Sequence, residues 1–346
     1  VIATVFFPVV MAGFVCVVGV FLLRKLAPSW GLVDAPEGRK QHRRPTPVIG
    51  GIAITIALCS LFFSAPELFM KYWVVFASAV VLMAVGIADD RHHIHSAIRM
   101  LIQIGVGCAI HFEGNLPFRS VGDIWFIGDL GLGPYSLTFT CIAVVGGVNA
   151  INMMDGLDGL CGWMVNAALF WLAVMGAIAG VLDVVVLALV GFGAVTAFLL
   201  FNFRFPWNVE ARVFLGDSGA YVLGFFVAAL FLLATQGVYI GEIQVLTPVT
   251  ALWLLFIPLV DIAGVIWRRS RMSRWPVDDD REHLHYMLVD RGHSVEAVVN
   301  ILSVMAFIFG GVGVALYYVG VSESWSFVLF IAFCAGYFYL TRRLSR

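Results

Sequence analysis

The sequence predicts an all-α, polytopic membrane protein of about eleven transmembrane helices, with its N-terminus outside and its C-terminus inside. Three observations predict it. Hydrophobic residues make up 61% of the 346 and charged residues only 12%, against roughly 25% charged in a soluble domain. Apolar runs approaching the ~20 residues that span a bilayer recur from end to end. The Lys and Arg residues fall almost wholly on one side of those runs.

In order, the expected spans are 2–23, 48–65, 72–88, 98–112, 135–151, 162–180, 183–202, 219–236, 248–267, 296–320 and 325–341. The first is read as a retained anchor. It has no basic start or small-residue cleavage pattern, and Arg24 and Lys25 follow it directly. The fourth and fifth are short or interrupted, so ten is the alternative count. With the N-terminus outside, eleven spans put 19 of the 21 Lys and Arg residues on the cytoplasmic side and leave only Lys71 and Arg119 outside. Membrane insertion selects this asymmetry. The chain then reads as one integral domain, with cytoplasmic loops 24–47, 89–99, 149–162, 203–218 and 268–295, and with 113–134 outside.

The formal net charge of -1 says nothing about nucleic acid, but no basic domain stands out, so no nucleic-acid partner is expected; the lipid bilayer is the expected partner. Cys16, Cys59, Cys108, Cys141, Cys161 and Cys334 are scattered singly. They have neither disulfide nor metal-ligand spacing and read as small core residues.

On this topology the polar clusters all gather inside. The third span ends in Asp89-Asp90-Arg91. Two adjacent carboxylates crowd the negative end of a helix dipole, which fits either a cation or proton held between them or a solvated terminus capped by Arg91. Next comes Asn149-Ala150-Ile151-Asn152, followed by Asp155-Gly156 and Asp158-Gly159. On a helical turn Asn152, Asp155 and Asp158 share one face, and the glycines let a ligand approach, so a ligand site is favoured over a plain turn. In Phe214-Leu215-Gly216-Asp217-Ser218-Gly219, Asp217 suits a helix N-cap or a hard cation such as Mg²⁺ with substrate phosphate. The last cluster is Asp278-Asp279-Asp280-Arg281-Glu282-His283-Leu284-His285-Tyr286. Its histidines, two apart, do not share a helix face, so phosphate or donor binding suits them better than zinc. Finally, Asp261 is expected inside the ninth span, facing either a crevice opened at Pro258 or a buried partner such as an interior Arg.

In this order and on these loops, the clusters resemble the polyprenyl-phosphate N-acetylhexosamine-1-phosphate transferase superfamily. The resemblance runs from Gly31-Leu32-Val33-Asp34 and Pro47-Val48-Ile49-Gly50-Gly51 through His283-Leu284-His285. Each motif is weak alone; the ordered set is specific. Within the superfamily the chain is most similar to the WecA-type branch, notably over Thr247-Pro248-Val249-Thr250-Ala251-Leu252-Trp253 to Asp261 and Arg268-Arg269. The muramoyl-pentapeptide branch usually carries three consecutive histidines, and a lysine shortly after the paired aspartates. This chain has neither, and Tyr286 stands where WecA-type enzymes often show a further His.

The resemblance implies transfer of N-acetylglucosamine 1-phosphate from UDP-N-acetylglucosamine to undecaprenyl phosphate, releasing UMP. This would be the first membrane step of a cell-surface polysaccharide such as O-antigen or common antigen. It implies an active site on the cytoplasmic face of a bacterial inner membrane. Asp217 and Asn152 would hold Mg²⁺, with Mn²⁺ as a substitute, and Asp158 and Phe214 would contact uracil. Asp89, with Asp90 beside it, would be the base for the lipid phosphate, and Asp155 and His283 would be needed for activity. His285 and Arg281 belong to the donor-binding loop. The alternatives are another UDP-N-acetylhexosamine donor and, from a different class, a membrane transporter. A transporter should carry its polar residues near mid-membrane, whereas these crowd one interface. A homodimer is compatible with the sequence.

Overall fold

The computed structural model describes residues 2–35, 44–206, 208–237, 243–271 and 283–344, and most of these are helical. The helices are α1 (Ile2–Leu26), α2 (Gly50–Cys59), α3 (Leu61–Ser64), α4 (Pro66–Lys71), α5 (Trp73–His92), α6 (Ser96–Phe112), α7 (Ser136–Asn152), α8 (Leu160–Ala179), α9 (Leu182–Asn202) and α10 (Gly216–Thr235). After them come α11 (Pro248–Leu254), α12 (Phe256–Arg271), α13 (Leu284–Asp290), α14 (Val295–Tyr318) and α15 (Glu323–Leu344). The only sheet among the described residues pairs β1 (Val33–Asp34) antiparallel with β2 (Thr46–Pro47).

Every expected span contains a helix. Eight helices among the described residues are long and apolar enough to cross a membrane. The ninth expected span, 248–267, is corrected: α11 and α12 meet at an 85° bend. The break falls at Leu255, not at Pro258. Pro258 sits in the first turn of α12, where a missing N–H costs nothing. Counting the bent pair as one span gives nine, and the Gly50–Ser64 and Ser96–Phe112 helices are shorter apolar segments.

α10 is the centre of the molecule. Its apolar window is 94% buried, against 22% for α1 and 28% for α15. α2, α5 and α7 pack directly on it, and α1, α8 and α9 lie outside or beside these. Two glycines make this closeness obligatory. A Cβ on Gly86 of α5 would lie 2.2 Å from the Ser218 Cα, and one on Gly51 of α2 would lie 2.2 Å from the Gly219 backbone N. Both contacts fall on the first turn of α10, so the packing that forms the core also fixes where that turn sits.

Candidate functional site

The approach to α10 is built from backbone hydrogen bonds. β2 runs on through Val48, which bridges Phe214 in parallel. The Phe214 N–H donates to the Pro47 carbonyl at 2.8 Å, and the Gly50 and Gly51 N–H groups donate to the Phe214 and Leu215 carbonyls at 3.0 and 3.1 Å. The Pro47–Gly51 motif is thus a cradle for the 214–219 motif. Asn202, at the end of α9, joins two more segments: its Oδ1 accepts from the Gly159 N–H at 2.7 Å, and its Nδ2 donates to the Val213 carbonyl at 2.9 Å.

Asp217 lies in the first turn of α10, with Leu215 at the N-cap position. Asp90 caps this helix from α5, its oxygens accepting from the Asp217 N–H at 2.8 Å and the Ser218 N–H at 3.3 Å. The Asp217 carboxylate is therefore released from capping and lies within electrostatic reach of the Asn152 side chain.

Asp89, one residue earlier, is almost fully buried at 2% exposure. Its Oδ1 accepts from the Ile94 N–H at 2.7 Å, and its Oδ2 from Arg99 and the Tyr221 hydroxyl, both at 2.6 Å. Arg99 also donates to the Tyr221 hydroxyl at 2.9 Å. Neither member of the aspartate pair stands as a solvated helix terminus. Sequence reasoning missed Tyr221; its only signal is the spacing of four from Asp217, one turn further along α10.

α7 ends at Asn152, and a tight turn follows, with i→i−3 bonds from Met154 to Ile151 and from Asp155 to Asn152. The face expected to carry Asn152, Asp155 and Asp158 is corrected accordingly. The helix stops too early to include Asp158, whose Oδ2 pairs with Arg204 Nε at 2.8 Å. Arg204 also reaches Glu296 at 3.3 Å. Burial opposes the Arg204 cation, but the Asp158 and Glu296 carboxylates more than offset it and hold its pKa above the ordinary value. Among the described residues Asp155 has no such partner. Burial, with the carboxylates of Asp217, Asp90 and Asp158 nearby, pushes its carboxyl well above the usual range.

The histidine motif closes the site from the other side. A Cβ on Gly156 would lie 2.3 Å from His285 Nε2 and 2.7 Å from the Tyr286 hydroxyl, so the 153–159 turn rests on this motif. His283 precedes α13 at its N-cap position. Helix-face geometry therefore does not separate the two rings, which lie 5.5 Å apart and 14° from parallel. Asp261 of α12 is the buried partner of His283: its Oδ2 meets His283 Nδ1 at 2.6 Å, and its Oδ1 accepts from the Leu284 N–H at 3.0 Å and the Tyr337 hydroxyl at 2.5 Å. Phe214 is half-buried beside Asp217. Arg281 lies outside the described residues.

Asp90, Asn152, Asp155 and Asp217 thus gather from three segments of chain, with only oxygen-bearing side chains. Among the described residues, no three His, Cys, Asp or Glu side chains converge closely enough to hold a metal by themselves. Hard donors that carry excess negative charge, but too few to complete a shell, fit a Mg²⁺-like cation that takes its remaining ligands from a phosphate-bearing substrate.

Residues 72–235 match the family described as Glycosyl transferase family 4. Most of the chain is similar to curated proteins named undecaprenyl-phosphate alpha-N-acetylglucosaminyl 1-phosphate transferase. The protein from Escherichia coli O157:H7 is 31% identical over 324 residues, covering 93% of this chain and 87% of that one. Those from Salmonella typhi and Haemophilus influenzae are also 31% identical, covering 92% and 94% of this chain and 85% and 91% of theirs.

Proposed function

Because the chain belongs to the polyprenyl-phosphate N-acetylhexosamine-1-phosphate transferases of Glycosyl transferase family 4, we propose that it transfers N-acetylglucosamine 1-phosphate from UDP-N-acetylglucosamine to undecaprenyl phosphate, releasing UMP. The observation that carries this reading is the 31% identity to proteins of that name over about nine-tenths of this chain. The carboxylate cluster at one end of the membrane helices supports it. We place that cluster at the cytoplasmic face of a bacterial inner membrane, with eleven spans if both shorter helices cross. The support is the one-sided distribution of Lys and Arg.

The acceptor's hydrocarbon chain lives in the bilayer and the nucleotide sugar in water, so their phosphates meet at an interface. Asp217 and Asn152 are the residues that would hold Mg²⁺, or Mn²⁺ in its place. When bound, the cation would neutralise the diphosphate and the charge developing on the departing UMP. Asp90 fixes the backbone that carries Asp217, and Asp155 is a carboxyl that a bound cation would help to ionise. Phe214 and Asp158 serve the uridine, Asp158 with its orientation set by Arg204. A new bond forms between an acceptor phosphate oxygen and the donor β-phosphorus as the bond from that phosphorus to the UMP oxygen breaks in line.

Asp89, expected as the base, is given another role in this scheme. Its oxygens are taken by Ile94, Arg99 and Tyr221, so it acts as the anchor that holds Arg99. A phosphate monoester has its second pKa near ~6, so the acceptor is largely dianionic at neutral pH and is already a nucleophile. The test is transfer of labelled sugar phosphate from a panel of UDP-sugars to undecaprenyl phosphate, with and without Mg²⁺. Product from UDP-N-acetylglucosamine alone supports the reading; product only from another UDP-N-acetylhexosamine would change the donor; no transfer from any donor would overturn the activity.

A further inference from the structure

Asp261 is a carboxylate at 1% exposure in the apolar interior. A buried charge is costly unless it is hydrogen-bonded and balanced. Its three partners are all placed to donate: a backbone N–H, a phenol O–H and an imidazole nitrogen. Because a carboxylate only accepts, His283 must carry its proton on Nδ1. The other ring nitrogen, Nε2, makes no hydrogen bond to any described residue, and it is not among the fully enclosed unpartnered atoms although the residue as a whole is only 6% exposed. A ring held on one side and still reachable at its other nitrogen can give that nitrogen to a ligand atom.

The choice of ligand follows from charge. The ring stacks on His285, which rests on the Gly156 turn beside Asp155, so His283 borders the phosphate-bearing end of the site. An anionic phosphate oxygen at Nε2 selects the N–H form there. With Nδ1–H already fixed, the ring is then an imidazolium whose charge Asp261 balances. Among the described residues, the ionisable groups facing it are Asp261 from α12, Tyr337 from α15 through Asp261, and His285 on its own segment; Arg268 acts on Tyr337 from α12.

We propose that Asp261 is a positioning residue that fixes His283 as a doubly protonated donor to a phosphate oxygen of the nucleotide. This rests on the phosphoryl-transfer reading above and adds to it a charge-balanced Asp–His–phosphate line whose outer end, Tyr337, belongs to the C-terminal helix. Asp261→Asn should break the line in a specific way. The amide oxygen stays with the Leu284 N–H and the Tyr337 O–H, so the amide NH₂ turns to His283 Nδ1. That nitrogen must then accept, leaving a neutral ring protonated at Nε2.

The experiment combines ¹⁵N-histidine NMR of the whole protein bound to UMP with transfer kinetics. The His283 signal, one of eight histidines, is assigned by its loss in His283→Gln. The proposal expects both ring nitrogens protonated in the wild type and only one in Asp261→Asn. It also expects Asp261→Asn to raise the KM for UDP-N-acetylglucosamine roughly ten- to a hundredfold, the scale of one charge-assisted hydrogen bond. kcat should fall less, and the double variant should be no worse than His283→Gln alone. A neutral His283 ring in the wild-type UMP complex overturns the proposal, as do independent, multiplying effects of the two substitutions. The wild-type spectrum decides the matter even if Asp261→Asn does not fold. Failure of the parent reading shows separately, as absence of wild-type transfer.

Discussion

The carboxylate of Asp90 caps the helix that begins at Asp217, accepting the Asp217 N–H at 2.8 Å from a different helix. A helix usually recruits its cap from the residue just before its first turn. Here that position is Leu215, and the borrowed cap leaves the Asp217 side chain free to face a ligand. Adjacent aspartates thus have separate tasks: Asp89 anchors Arg99 and Tyr221, and Asp90 orients α10.

This division predicts different outcomes for two conservative changes. Asp217→Asn should lose most transfer activity and its Mg²⁺ dependence while melting no lower than the wild type, because the amide breaks no helix cap and removes one of the crowded charges. Asp90→Ala should lose about 1 kcal/mol of stability, the usual cost of a lost N-cap, along with activity. Melting curves in detergent beside transfer assays separate the two. Near-normal turnover in Asp217→Asn would remove it from the cation site.

Asp155 should show the opposite balance. Its carboxyl is pushed up by burial and by Asp217, Asp90 and Asp158, so the folded form keeps a proton that the unfolded chain has released. Stability therefore falls as pH rises from about 4, the unfolded value, through the raised folded value. Asp155→Asn removes the penalty. The Mg²⁺-free variant should melt above the wild type at alkaline pH and lose that margin near pH 4, while transfer is abolished. Equal melting of the two proteins at every pH would refute the charge crowding.

Gly86→Ala tests the packing beneath the site. The added methyl carbon would lie 2.2 Å from the Ser218 Cα, with backbone rather than a flexible side chain in its way. A loss of roughly 3 kcal/mol, the upper end for overpacking, or failure to accumulate folded protein is expected. Gly105→Ala, with nothing within 4 Å of the new carbon, is the matched control and should be tolerated.

Orientation can be read from single cysteines placed in a variant lacking the six native ones. A cysteine at Gly128, in the 113–134 loop, should react in intact cells with a reagent that cannot cross the membrane. A cysteine at Arg271 should react only after the cells are opened. Reaction at Arg271 in intact cells would invert the topology.

The number of chemical steps is open to isotope exchange. A covalent phosphosugar enzyme would pass labelled UMP into UDP-N-acetylglucosamine without acceptor lipid. Direct displacement would not, and the engaged state of Asp89 and Asp90 favours displacement. Exchange at a rate comparable to turnover, lost in Asp89→Asn, would make Asp89 the nucleophile.

The helices of the expected spans were legible because apolar length is a local property of the sequence. The motifs were legible because glycines mark close approaches: backbone against backbone at Gly50 and Gly51, and side chains against the main chain at Gly156 and Gly216. The kink at Leu255 carried no such mark, and Pro258 drew attention to the wrong residue. Asp158 was assigned to the Asn152 face because spacing by three holds only while a helix lasts, and α7 ends first. The Asp89–Arg99–Tyr221 and Asp261–His283–Tyr337 sets join residues from distant helices, which no pattern of spacing records. Asp261 alone was conspicuous, as a charge at membrane depth.

The enclosure of α10 has a mechanical consequence. Bilayers differ in thickness, and helices that face lipid answer by tilting or bending, at modest cost per ångström. α1 and α15 are open to that pull along most of their length, whereas α10 is 94% buried and meets protein on nearly every side. The turn carrying Asp217 is tied to Gly51 and Gly86 in its own protein surroundings rather than to the lipid. The outer helices can therefore act as a compliant collar around a stiff spindle, so the reacting groups keep their spacing as the enzyme passes between thin and thick regions of membrane.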